Sequence, residues 1–107
     1  MNEVFEDRKK GFEKKYELDQ NHEFRVLARR DKLFGTWLAE LLGLSGKDAD
    51  DYIRHIVNSN FKVPGDQDML DQAIKDFSQR NVEIDIYTMK SRLSDFFNEA
   101  NKQINNE

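Results

Sequence analysis

The sequence predicts an all-α protein: a four-helix bundle with a long first core helix and a mobile N-terminal amphipathic segment. Three observations carry that expectation. Helix breakers are scarce, with one proline and five glycines in 107 residues. Good helix formers fill the stretches between them. Apolar side chains recur three and four residues apart through most of the chain, the spacing that collects them on one face of a helix. A chain of this length makes one domain with a thin core, since so small a fold buries only a little over roughly 60 % of the surface its unfolded chain exposes.

The first core helix is expected from about Asn21 to Leu42. Phe24, Leu27, Ala28, Phe34, Leu38, Leu41 and Leu42 fall at helical spacings, with Val26, Leu33 and Trp37 as a second row. Gly43 then offers a left-handed residue to close the last turn. Ser45 and Asp48, three apart, form an approximate capping box for a second helix carrying Ala49, Tyr52, Ile53, Ile56 and Val57. Pro64 stops it, because the residue before a proline avoids the helical conformation. Asp66 is the expected cap of a third helix bearing Met69, Leu70, Ala73, Ile74 and Phe77. Val82, Ile84 and Ile86 alternate with Glu83 and Asp85, as in a half-buried strand. A lone strand has no partner here, however, and Met89, Leu93, Phe96, Phe97, Ala100 and Ile104 continue as a fourth helix.

Residues 1–20 are expected to behave differently from the four-helix domain over 21–107. Between Asn2 and Gln20 only Phe5, Phe12 and Tyr16 share a helical line, with Val4 and Leu18 off it and Gly11 within it. Three anchors cannot make a core. An isolated helix of this length is marginal in water, and a glycine inside it costs about 1 kcal/mol relative to alanine. The segment is therefore expected to be disordered or partly helical when free and to complete its helix in a hydrophobic groove of a partner.

Composition excludes several function classes. No apolar run reaches the roughly 18 residues of a membrane-spanning helix, and MNEVFEDRKK lacks the apolar stretch of a signal peptide. A cytoplasmic protein without membrane insertion is expected. The absence of cysteine removes disulfides, thiol chemistry and cysteine-bound zinc. A net charge of -4 opposes unselective binding to nucleic acid. The row Arg25, Arg29, Arg30 and Lys32 is accordingly read as the solvated side of a packed helix.

Chemistry-bearing constellations are few. His55 stands four residues after Asp51, the spacing of a surface charge contact more than of a metal pair, and His22 is read as solvated. Gly43 to Lys47 resembles the end of a phosphate-binding loop. Leu41 nevertheless occupies the first glycine position, and Asp48 replaces the hydroxyl that would bind magnesium. Trp37 and Phe34 are read as core. The sequence thus points to a non-enzyme with no catalytic or metal-binding set.

Three runs carry a resemblance that covers nearly the whole chain: Phe5-Glu6-Asp7-Arg8, Gly11 to Tyr16, and Ala28 to Gly43. The densest is the last, with Ala28, Arg29, Arg30, Lys32, Leu33, Gly35, Trp37, Ala39, Glu40 and Gly43 as its signature. Together they resemble the small zeta subunit family, inhibitors of the bacterial F1Fo ATP synthase. The resemblance implies an N-terminal inhibitory region that folds into a helix as it enters a catalytic alpha/beta interface of F1 and blocks rotation in the hydrolysing direction. Carried onto this chain, the contact positions are Phe5, Asp7, Arg8, Phe12, Glu13 and Tyr16. The implied partners are the alpha, beta and gamma subunits of F1, met by a monomer peripheral to the membrane-bound synthase. No cofactor is required, and weak adenine nucleotide binding is a family trait that no residue pattern here places.

Lys9 and Gly11 depart from the family pattern, which favours an acidic residue and a better helix former at those positions. Gly11 raises the cost of ordering the segment by about 1 kcal/mol, close to a fivefold loss of affinity. The alternative reading is a helical adaptor or nucleotide-sensing module that keeps the fold without inhibiting.

Overall fold

The computed structural model describes the backbone of residues 2–61 and 65–107 and the side chains of residues 21–60 and 65–107. Among them lie four helices and no strand: α1 (Asn2–Leu41), α2 (Gly46–Phe61), α3 (Gln67–Gln79) and α4 (Ile86–Asn105). The expected turn at Val63-Pro64-Gly65 falls partly outside the described residues. So do residue 1 and the side chains of residues 2–20, among them Phe5, Asp7, Arg8, Phe12, Glu13 and Tyr16.

The helix ends follow from local chemistry. Gly43 adopts φ +74°, and the N–H of Leu44 bonds the carbonyl of Ala39 at 2.9 Å while that of Gly43 bonds the carbonyl of Glu40 at 3.0 Å. These two bonds satisfy carbonyls that the last turn of α1 would leave unpaired. Asn81 repeats the device after α3 at φ +58°, with Val82 N–H on Phe77 and Asn81 N–H on Ser78. Asparagine tolerates this backbone region better than most side chains. Asp66 occupies the cap position of α3, but its carboxylate makes no capping bond. It is engaged by Arg30 and Asn60 instead, which corrects the role expected from sequence.

α1 is the spine, packing most extensively against α2 and α4. Residues deep in the core join all four helices: Phe34, Leu38 and Ala39 of α1, Tyr52 and Ile56 of α2, Met69, Leu70, Ala73 and Phe77 of α3, Met89 and Leu93 of α4. Each fully buried large apolar side chain contributes about 1.5–3 kcal/mol relative to exposure. α1 and α2 approach closely at Gly35, where a Cβ would stand 3.3 Å from the Cα of Ile53. A smaller cluster of Val26, Ala100 and Ile104, with Leu33 beside it, continues the α1–α4 seam.

Several expected core positions are outside. Phe24 is 61 % exposed and Leu41 45 %. Ile74, Leu27 and Phe97 are also exposed. The buried line of α1 is Val26, Arg30, Phe34 and Leu38, four apart at each step, so Leu27 falls to its flank and Phe24 to the far side of the helix. The segment Val82–Asp85 has no regular structure, yet Val82, Ile84 and Ile86 pack on the core. Its alternation records an extended connection with one face inward.

Candidate functional site

The signature run Ala28 to Gly43 forms the joint of the bundle. Arg30, expected on a solvated face, is buried with Asp31. Its Nη2 lies 2.8 Å from Asp31 Oδ1 and donates to Asp66 Oδ1 at 2.7 Å, while Nη1 donates to Asp66 Oδ2 at 3.3 Å. Asn60 Nδ2 donates to Asp31 Oδ2 at 2.9 Å and to Asp66 Oδ1 at 3.3 Å. The guanidinium of Arg30 thus ties the middle of α1 to the start of α3, and Asn60 joins the end of α2 through the same two carboxylates. Burial opposes the Arg30 charge, but the hydrogen bond to Asp66 and the attraction of Asp31 together raise its pKa above the ordinary value. Burial lifts the Asp31 carboxyl above its usual range, against the hydrogen bond from Asn60 and the charge of Arg30.

A second group of ties fastens the end of α4 to α1. Arg25 and Arg29 donate to the two carboxylate oxygens of Glu107 at 2.6 Å each. Arg29 also donates to Gln103 Oε1 at 2.8 Å, and His22 Nε2 to Asn101 Oδ1 at 3.1 Å. The hydrogen bond from Arg29 is the main cause that holds the Glu107 carboxyl below its ordinary value. His22 is therefore half-buried and engaged, not simply solvated.

His55 likewise departs from expectation. Its Nε2 lies 3.2 Å from Asp76 Oδ2 on α3, not against Asp51 of its own helix. Tyr52 donates its hydroxyl to the same oxygen at 3.0 Å, and Gln72 donates to Oδ1 at 2.9 Å. Burial first, then the Asp76 charge and hydrogen bond, push the Tyr52 hydroxyl up. These groups lock α2 to α3. No set of three metal-ligating side chains gathers among the described residues.

Trp37 is half-buried, with Phe34 at 6.0 Å and Phe96 at 6.2 Å between ring centroids. Arg92 lies over both outer rings, its guanidinium carbon 5.3 Å from the Trp37 centroid and 4.9 Å from that of Phe96. The buried Arg92 Nε has no hydrogen-bond partner, and stacking on the ring faces accounts for its tolerance there. The remaining signature positions are structural in the same sense. Gly35 permits the α1–α2 approach, Ala39 is buried, Leu33 supports the Val26 cluster and Gly43 ends α1. Ala28 is half-buried, whereas Lys32 and Glu40 face solvent.

Asp31, Asn60, Asp76 and Glu107 were not singled out in the sequence. A usable signal existed for Arg30 alone, which shares the four-residue spacing of Val26, Phe34 and Leu38. Its partners come from other helices, and nothing local marks them.

The family model for the ATPase inhibitor subunit zeta matches residues 1–103. No curated protein matches the chain.

Proposed function

Because the chain belongs to the ATPase inhibitor subunit zeta family, we propose that it restrains ATP hydrolysis by the F1 part of ATP synthase through insertion of residues 1–20 at a catalytic alpha/beta interface. One observation carries this reading: the family match begins at residue 1 and so includes the core-poor segment. That segment has Phe5, Phe12 and Tyr16 to bury, with Asp7, Arg8 and Glu13 as polar contacts, and no bundle of its own to bury them in.

The physics is that of folding on binding. Ordering some fifteen residues costs about 1 to 2 kcal/mol each in backbone entropy, which helix hydrogen bonds and groove contacts must outweigh. A catalytic interface that closes in one direction of rotation supplies such a groove. The inserted helix then binds one rotational state better than the others and shifts the motor toward it. Turning the other way opens the groove and releases the wedge, so synthesis is spared. The folded body positions the wedge beside the alpha, beta and gamma subunits, on the cytoplasmic face, with no cofactor required for insertion.

Deleting Met1 to Tyr16 tests the assignment. The remaining chain should keep its helical circular dichroism and lose inhibition of purified F1. Inhibition undiminished by the deletion refutes the wedge and leaves a helical adaptor or nucleotide-sensing module.

A further inference from the structure

The stretch where α1 enters the bundle is fastened to α4 by polar groups. No side chain from Asn21 to Arg25 is buried, and among the described residues the first buried one of α1 is Val26. Three side chains of α1 nevertheless reach α4 here. His22 Nε2 lies 3.1 Å from Asn101 Oδ1, and Arg29 Nη1 donates to Gln103 Oε1 at 2.8 Å. Arg25 and Arg29 each bring an Nη2 to 2.6 Å from Glu107, one on each carboxylate oxygen. Glu107 is itself anchored just past the end of α4, where its N–H donates to the Ile104 carbonyl at 3.3 Å. His22, Arg25 and Arg29 stand three and four apart, so they share one face of α1 and meet the last turns of α4 together. The result is a clasp between positions 74 to 82 apart in the chain.

Exposed ion pairs add little to the stability of a whole fold, and the core that joins all four helices lies elsewhere, around Phe34 and Leu38. What the clasp acts on is the turn it holds. Starting a helix is the costly step, because the first turn fixes several residues for one hydrogen bond, whereas each residue added afterwards gains a bond of its own. In an α-helix the N–H of one residue takes the carbonyl four positions earlier. Residues 21–24, held helical, therefore offer their N–H groups to the carbonyls of residues 17–20, and the helix extends toward residue 1 without a new nucleus. We propose that His22, Arg25 and Arg29, with Asn101, Gln103 and Glu107, are positioning residues for inhibition: they hold the turn from which the inserted segment extends and fix the direction in which it leaves the body. This rests on the insertion proposed above. The backbone of α1 runs unbroken from Asn2 to Leu41. At 1.5 Å per residue about 30 Å of helix precedes His22, so a tilt of roughly 10° at the clasp displaces the far end by about 5 Å. Residues that fray when the clasp opens must also be ordered again on docking, which weakens binding.

The test uses full-length chains and purified F1. The double variant Asn101→Ala/Glu107→Ala opens the clasp from the α4 side, clear of residues 1–20, and Arg29→Gln opens it from α1. Either should need about threefold to tenfold more protein for half-inhibition, with a thermal midpoint close to that of the unaltered chain. Amide exchange of the free chain supplies a readout that a direct contact with F1 would not move. The amides of residues 21–24 should exchange faster in both variants, while those of Phe34 and Met89 keep their protection. Undiminished inhibition overturns the proposal. So does weakened inhibition with unchanged exchange at residues 21–24, which would mean that these side chains touch F1 themselves. Lost protection at Phe34 and Met89 in both variants assigns the contacts to the fold as a whole and overturns it too. The wedge is judged separately, by deletion of Met1 to Tyr16: inhibition that survives the deletion refutes the wedge, whereas loss on deletion beside fully potent clasp variants refutes the clasp alone.

Discussion

Arg30 shows how a single residue can anchor a network that joins three helices and still be a liability. Its side chain is 8 % exposed and that of Asp31 4 %. Taking such charges out of water costs several kcal/mol each, offset only while every partner is in place. Arg30→Ala should therefore destabilise the fold by about 3 to 5 kcal/mol, read as a shift in the urea midpoint, because Asp31 is left buried without its counter-charge. Replacing both members, Arg30→Met with Asp31→Leu, should restore most of that loss. If the double variant is as unstable as the single one, the pair contributes through shape and not through charge. At the same scale Trp37 teaches caution, since an aromatic in the middle of a core helix was expected inside. It sits instead at the margin of the core, with Arg92 as its outer cover.

At the scale of elements, the seam between α1 and α4 ends in an exposed pair of contacts from Arg25 and Arg29 to Glu107. Glu107 has a lowered pKa in the fold, against 4.5 for the free group, chiefly through the hydrogen bond from Arg29. A carboxyl held below its ordinary value contributes stability that is fully present above that value and lost as pH falls through the folded one. Acidification below about pH 4.5 should thus loosen the end of α4 from α1 before the core opens. Amide exchange over Ala100 to Asn105 would show it, and Glu107→Gln should remove that acid-dependent step while leaving the rest of the profile alone. The two left-handed helix ends, at Gly43 and Asn81, place α2 and the extended Val82–Asp85 connection. Gly43 was legible in the sequence because glycine after an apolar pair is a recognisable stop. The left-handed turn at Asn81 was not legible in that way, since asparagine has many other uses.

For the whole molecule, the two apolar clusters along α1 differ in depth. The large one joins four helices, whereas the Val26, Ala100 and Ile104 cluster joins only two and relies on polar ties at the surface. Local opening follows buried contact, so amides of Val26 and Ile104 should exchange measurably faster than those of Phe34 and Met89. Equal protection at both sites would mean that the surface ties hold the seam as firmly as the core does. The weaker end adjoins residues 1–20, the part proposed to enter the ATPase.

Much of this was written in the order of residues. Four helices, the stop at Gly43, the absence of a self-sufficient core before Asn21 and the family signature all follow from periodicity, turn chemistry and local motif, which are properties of neighbours in the chain. Tertiary structure alone decided which side of α1 is buried, that Arg30 lies inside and that His55 turns to Asp76. Periodicity gives the direction of an apolar face only to within a flank, and the partners of a charge or a ring come from segments up to 82 positions away, as Arg25 and Glu107 do. Those pairings exist only once the helices have packed.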